Sequence, residues 1–307
     1  MEVPAGALGG LIVPLVTPFD ADGAVDADCL VRLAAELLDK GAAGLAALAT
    51  TGEAHALTGG ERDVVIQACA GVCGKRGVPL LVGAGTYDTR TTIERHEALA
   101  SYAGVTHSLA VVPYYVRPTE SAIVDHFRAV AARSPVPLVL YNIPYRTGRG
   151  LGAAALLELA EDPNIVGLKQ AVGALDTDTL QVLAGNPAGF AVLAGDDAFI
   201  LPTLLMGGAG AIAASGHVCT STFAQMVDAG LRGSVLKARE LAARLLPLVE
   251  ALFAEPSPAV IKAVLHRLAG IPTPEVRMPL SAASGGALGA ALAALEQAEA
   301  GPAALAQ

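Results

Sequence analysis

Lys169 stands inside an otherwise apolar run, Asn164-Ile165-Val166-Gly167-Leu168-Lys169-Gln170-Ala171-Val172-Gly173, where a buried strand would end. The chain has only five lysines: Lys40, Lys75, Lys169, Lys237 and Lys262. Desolvating an ammonium is costly. Burial lowers its pKa and frees the lone pair that an imine-forming nucleophile needs. Taken alone, Lys169 also reads as a strand-end lysine whose head snorkels to solvent.

Its company favours chemistry. Short polar strings follow other apolar runs: Thr50-Thr51-Gly52-Glu53, Tyr114-Tyr115, Tyr141-Asn142-Ile143-Pro144, Arg146-Thr147-Gly148, Gly195-Asp196-Asp197 and Ser215-Gly216-His217. Lys169 would attack a ketone, and the resulting imine acts as an electron sink for the adjacent carbon. The carbinolamine on that path must gain and lose protons, a task suited to the hydroxyls of Tyr141, Thr50 and Tyr115. The Thr50-Thr51-Gly52 turn offers hydroxyls and N–H groups to a small carboxylate. Arg146 can hold a second carboxylate bidentately.

Each string has a blander reading beside it. Thr50 and Thr51 can cap a turn, Tyr114 and Tyr115 can be core or interface aromatics, and Arg146 can lie on the surface. Glu53 reads as a helix-entry carboxylate, and Asp196-Asp197 as the N-cap of the seventh helix. His55 and His217 carry no functional signal of their own.

These strings need elements to hold them together. Apolar runs at 11–16, 44–49, 79–83, 108–112, 137–141, 164–168, 190–194 and 210–214 read as strands. Their hydrophobicity is continuous rather than alternating, so both sheet faces are covered. Segments of helical period fall between them, near 26–40, 59–74, 89–103, 119–133, 151–161, 175–184, 197–206 and 219–230. Asp26, Thr58, Thr89 and Thr119 are placed to cap helix N-termini, and Gly41, Gly104 and Gly207 to stop them. Eight such βα units with no glycine-rich nucleotide fingerprint predict a (β/α)8 TIM barrel, with a doubly wound sheet as the alternative. The barrel would span 1–231. Helices at 233–254, 257–269 and 284–299 would form a C-terminal helical appendix, 232–307, packed on the barrel rather than folding independently.

Composition narrows the function classes. The 307 residues are 53 % hydrophobic and 16 % charged, with a formal net charge of −9. A chain this acidic lacks the cationic surface that nonspecific nucleic-acid binding requires. No apolar run reaches membrane-spanning length and Met1–Gly10 has no positive leader region, so the expectation is a soluble cytoplasmic protein. Cys29, Cys69, Cys73 and Cys219 form no CxxC pair, and the six histidines form no HxH or HExxH arrangement. Reduced core cysteines and no metal centre are expected.

Together these strings resemble the dihydrodipicolinate synthase/N-acetylneuraminate lyase family of class I aldolases, from about residue 9 to 280. The strings that carry the resemblance are Val16-Thr17-Pro18-Phe19, Thr50-Thr51-Gly52-Glu53, Val112-Pro113-Tyr114-Tyr115, Arg117-Pro118, Tyr141-Asn142-Ile143-Pro144, Arg146-Thr147-Gly148, Gly167-Leu168-Lys169 and Gly195-Asp196-Asp197. The resemblance implies a TIM barrel and a homotetramer built as a dimer of tight dimers. It implies that Lys169 forms the imine with pyruvate, so that no separate cofactor is needed. Tyr141, Thr50 and Tyr115 would form the proton relay, with Tyr115 acting in the active site of the neighbouring subunit. Thr51 would hold the pyruvate carboxylate, Arg146 the carboxylate of the second substrate, and Gly195 and Ile212 would wall the bound ketoacid.

The pairing of Thr-Thr-Gly-Glu with Arg-Thr-Gly resembles the synthase branch, which condenses pyruvate with L-aspartate 4-semialdehyde. The alternative expectation is a lyase or dehydratase acting on another aldehyde or on a 2-keto-3-deoxy sugar acid. A third is a ketoacid-binding sensor without turnover. Gln170 stands where synthases commonly place Glu, its side chain expected to point away from the pocket. Tyr87, Ala54, His55, Gly59, Arg62 and Thr91 do not reproduce the pocket that binds inhibitory lysine in regulated members.

Overall fold

Apolar stretches too short for helices, each released by a turn into a longer amphipathic segment, build parallel strands with crossover helices. The computed structural model describes residues 8–300, so Met1–Ala7 and the last seven residues of the Ala-rich tail lie outside it. Strands β1 (Gly10–Pro14), β2 (Gly44–Ala47), β3 (Leu80–Gly83), β4 (His107–Val111), β5 (Leu138–Asn142), β6 (Ile165–Gln170), β7 (Ala191–Ala194) and β8 (Gly210–Ile212) pair in sequence order. All pairs are parallel, and β8 returns to β1 to close the barrel. Closure rules out the doubly wound sheet.

Around the barrel lie α1 (Ala27–Asp39), α2 (Gly59–Arg76), α3 (Thr89–Glu97), α4 (Glu120–Ala131), the single turn α5 (Pro144–Thr147), α6 (Ala153–Ala160), α7 (Thr177–Gly185), α8 (Ile200–Leu205) and α9 (Thr220–Leu231). Three further helices follow: α10 (Val235–Leu252), α11 (Ala259–Arg267) and α12 (Gly285–Ala300). Helix α10 packs on α9, and α12 packs on α10 and α11.

In α1 to α4 the caps follow the sequence with one correction. Asp26, Thr58 and Thr119 accept N–H bonds from their first turns, and Thr58 with Glu61 completes a capping box. The cap of α3 is Asp88 rather than Thr89, because its carboxylate reaches the Thr91 N–H at 2.7 Å. The Thr89 hydroxyl instead meets His126 Nδ1 at 2.9 Å. Helix 89–103 also divides, its last turn tightening to a 3-10 turn over Ala98–Ser101. The four cysteines are buried and unpaired, and burial pushes the Cys73 thiol up to about 12.

Alternation along each strand decides what faces the barrel axis. Ile12, Ala46, Leu81, Leu109, Val139, Leu193 and Ile212 fill the interior, while Leu140, Leu168 and Val192 face the helices. Val139 and Tyr141 share one side of β5, and Tyr141 lies level with Lys169 of β6. Lys169 is thus an inward residue of the uppermost layer. Its neighbour Gln170 points outward, accepting from Asn142 Nδ2 at 3.0 Å and donating to Thr179 Oγ1 at 3.0 Å.

Candidate active site

The C-terminal ends of the strands surround a cavity of about 350 Å³. Lys169, Tyr141, Thr50, Thr51, Arg146, Gly195 and Ile212, seven of the eight residues singled out from the sequence, line it. The structure does not bring Tyr115 there. That residue is 86 % exposed beyond β4, with φ +69°.

Lys169 is buried, its Nζ lying 4.3 Å from the centroid of the Tyr141 ring. Among the described residues it has no ion-pair partner. Burial pushes its ammonium down to about 8, and the nearby Arg146 charge acts in the same sense. The carboxylates of Asp197 and Asp196 oppose that fall. Burial also raises the Tyr141 phenol, against the Arg146 charge and the neighbouring Thr50 hydroxyl. Tyr141 is therefore a neutral hydroxyl that can pass a proton in either direction.

Gly195 has a steric reason. A Cβ there would meet Ala171 Cβ at 2.8 Å and Lys169 Cγ at 2.9 Å, so any side chain would displace the lysine. Asp196-Asp197 does not cap α8, the helix expected over 197–206, which corrects the simpler reading. Asp196 takes the cap position of a 3-10 turn over Asp197–Phe199 but makes no capping bond. Its Oδ1 accepts from the Tyr145 hydroxyl at 3.0 Å, and its Oδ2 from the Gly173 N–H at 2.7 Å. Asp197 is buried and accepts the Ser215 N–H at 2.6 Å. Burial pushes its carboxyl above the ordinary range, opposed by that bond and by the Lys169 charge.

Arg146 is carried by α5, which begins at Pro144 and ends on Gly148 at φ +72°, a left-handed cap suited to glycine. With Thr50 and Tyr141, Arg146 also walls a second cavity of about 270 Å³ that includes Tyr114, His55 and Thr147. Tyr114 meets Tyr87 edge-on, with ring centroids 5.6 Å apart. Arg62 donates to Ala54 O at 3.1 Å and to Gly83 O at 3.2 Å, tying the ends of β2 and β3 together.

The Thr50–Gly52 turn is held from below. Thr17 Oγ1 donates to Gly52 O at 2.7 Å, and the Gly52 N–H closes the turn on Ala49 O at 3.0 Å. Glu53 follows in a left-handed conformation, φ +53°, and is wholly buried rather than a solvated helix-entry carboxylate. Its Oε1 pairs with Lys262 Nζ at 2.9 Å, and its Oε2 accepts the Arg277 N–H at 2.7 Å. Lys262 also donates to Thr17 O at 3.0 Å and lies 4.0 Å from the Phe19 ring centroid.

Sequence reasoning missed this anchor. Lys262 interrupts an apolar helical run, Ala259-Val260-Ile261-Lys262-Ala263-Val264-Leu265, the same signal that singled out Lys169. His217 is likewise structural. Its Nε2 accepts the Val16 N–H at 3.1 Å while Nδ1–H donates to Ala214 O at 2.8 Å, joining the ends of β1 and β8. Among the described residues no group of three or more His, Cys, Asp and Glu side chains could hold a metal ion, and no helix is long and apolar enough to cross a membrane.

Comparison with known proteins places this geometry. The model of the dihydrodipicolinate synthetase family matches residues 7–298. The 4-hydroxy-tetrahydrodipicolinate synthase of Moorella thermoacetica is 41 % identical over 276 residues, covering 90 % of this chain and 93 % of the relative. A dihydrodipicolinate synthase from Acinetobacter baumannii, described as chloride-inhibited and complexed with pyruvate, is 32 % identical with a TM-score of 0.91. That likeness covers 95 % of this chain and 99 % of the other. A synthase from Cyanidioschyzon merolae with lysine bound is 34 % identical with a TM-score of 0.90, over 95 % and 98 % of the two chains. The chain belongs to the dihydrodipicolinate synthetase family.

Proposed function

We propose that this chain is a lyase condensing pyruvate with L-aspartate 4-semialdehyde to 4-hydroxy-tetrahydrodipicolinate, on the path to diaminopimelate and lysine. The observation that carries this reading is an unpaired buried lysine, with its ammonium pushed down to about 8, in one cavity with a neutral tyrosine and an arginine. Lys169 attacks the pyruvate ketone, and Tyr141 with Thr50 moves the protons that turn the carbinolamine into an imine and water. Thr51 holds the pyruvate carboxylate. Loss of a methyl proton gives an enamine, whose carbon attacks the aldehyde. The amine of the semialdehyde then displaces Lys169 and closes the ring. The imine is the electron sink, so the reaction needs no external cofactor.

Arg146 is assigned to the semialdehyde carboxylate. Among the described residues its guanidinium has no internal ion pair, as a site awaiting an anion requires. This favours a carboxylate-bearing acceptor over a sugar acid offering hydroxyls at that place. The reading includes a cytoplasmic homotetramer in which Tyr115 completes the relay of a neighbouring subunit. Its high exposure at a strained positive φ supports that role.

Acceptor turnover tests the assignment. The wild type should condense aspartate semialdehyde and leave 2-keto-3-deoxy sugar acids uncleaved. Arg146→Ala should raise the semialdehyde KM by roughly tenfold to a hundredfold, the loss of a charge-assisted bidentate bond. An unchanged KM in Arg146→Ala would remove the clamp.

A further inference from the structure

Tyr145 has no part in imine chemistry, yet its exposed side chain lines the cavity that holds Lys169. Its hydroxyl donates to Asp196 Oδ1 at 3.0 Å, and the Gly173 N–H donates to Asp196 Oδ2 at 2.7 Å. One carboxylate thus ties together the loops that follow β5, β6 and β7. Phe253 and Glu250 of the C-terminal region line the same cavity.

The tie also has an electrostatic consequence. Asp196 and Arg146 both act on Lys169, Tyr141 and Tyr145, so they share one field at the acceptor end. A free carboxylate in that field would be drawn to the guanidinium and occupy it. Asp196 is instead satisfied on both oxygens by neutral donors, and Arg146 has no ion-pair partner among the described residues. The Arg146 guanidinium lies 6.0 Å from the Tyr145 ring centroid, so the same side chain bounds the space left for a substrate carboxylate.

We infer that Tyr145 is the specificity-determining residue of the acceptor end: its clasp on Asp196 keeps Arg146 free for the acceptor carboxylate, and its ring limits the acceptor to a short aldehyde. This rests on the condensation proposed above. Tyr145 is a positioning residue and does not touch the reacting carbon.

Tyr145→Phe removes the clasp and keeps the ring. The semialdehyde KM should rise about tenfold, as one competing charge contact would cost, with the pyruvate KM and kcat within about twofold of wild type. Adding Asp196→Asn removes the competing charge and should restore most of the lost affinity, a rescue that general loosening of the loop would not give. Tyr145→Ala should in addition admit glutarate semialdehyde, which is one methylene longer and lacks the amine, so that water hydrolyses the imine to Lys169 and the open-chain adduct is read by mass. A semialdehyde KM unchanged in Tyr145→Phe, or no rescue by Asp196→Asn, would overturn the inference while wild-type turnover leaves the condensation standing. A wild type that traps no pyruvate with borohydride would overturn both.

Discussion

A lysine ammonium in a dry pocket loses the hydration that keeps it protonated in water, and Lys169 is pushed down to about 8 for that reason. At pH 7 roughly a tenth of it is neutral, against less than one part in a thousand for an ordinary lysine. The rate of pyruvate imine formation should therefore rise about tenfold per pH unit and level off near pH 8. Asp196 favours the ammonium, so Asp196→Asn should move that limb to lower pH. A limb that stays in place or moves up would contradict the assignment. The cost of burying the lysine is fully present below pH about 8 and fades as pH rises toward its unfolded value. Lys169 was legible in the sequence because a cation in a continuous strand run has nowhere to hide. Tyr145 was not, because an aromatic between Pro144 and Arg146 in a single helical turn has no periodic context, and its partner Asp196 is 51 residues away.

Between elements, the decisive contacts join parts distant in sequence. Lys262 on α11 and Glu53 after β2 are both fully buried, 209 residues apart, and fasten the C-terminal helices under the Thr50–Gly52 turn. Removing one partner leaves the other charge buried without compensation, which costs about 3–5 kcal/mol. Lys262→Met should lower thermal stability by that order and weaken pyruvate binding through the loosened turn. Lys262→Met with Glu53→Gln should recover much of the stability, because no lone charge then remains. If Lys262→Met unfolds at the wild-type temperature, the anchor is not what holds the turn. The elements themselves were legible from apolar runs, caps and glycine stops. Their pairing across 209 residues was not, since Glu53 beside a helix start looks the same in sequence whether it is solvated or buried.

For the whole molecule, eight βα units and a missing nucleotide fingerprint sufficed to anticipate the closed barrel, because strand order and handedness leave few other solutions. Barrel closure then made the site readable, since strand ends far apart in sequence must converge on one mouth. Tyr115 marks where that logic stops: one chain leaves it exposed, and the proposed relay role would need a neighbouring surface that a single sequence does not display. The proposed reaction depends first on Lys169 as the nucleophile. Borohydride reduction in the presence of pyruvate, read as intact mass, tests it most directly. One pyruvyl adduct per wild-type chain, mapped to Lys169 and missing from Lys169→Ala, is the expected result; an unlabelled wild type, or a Lys169→Ala chain that still labels, would contradict it.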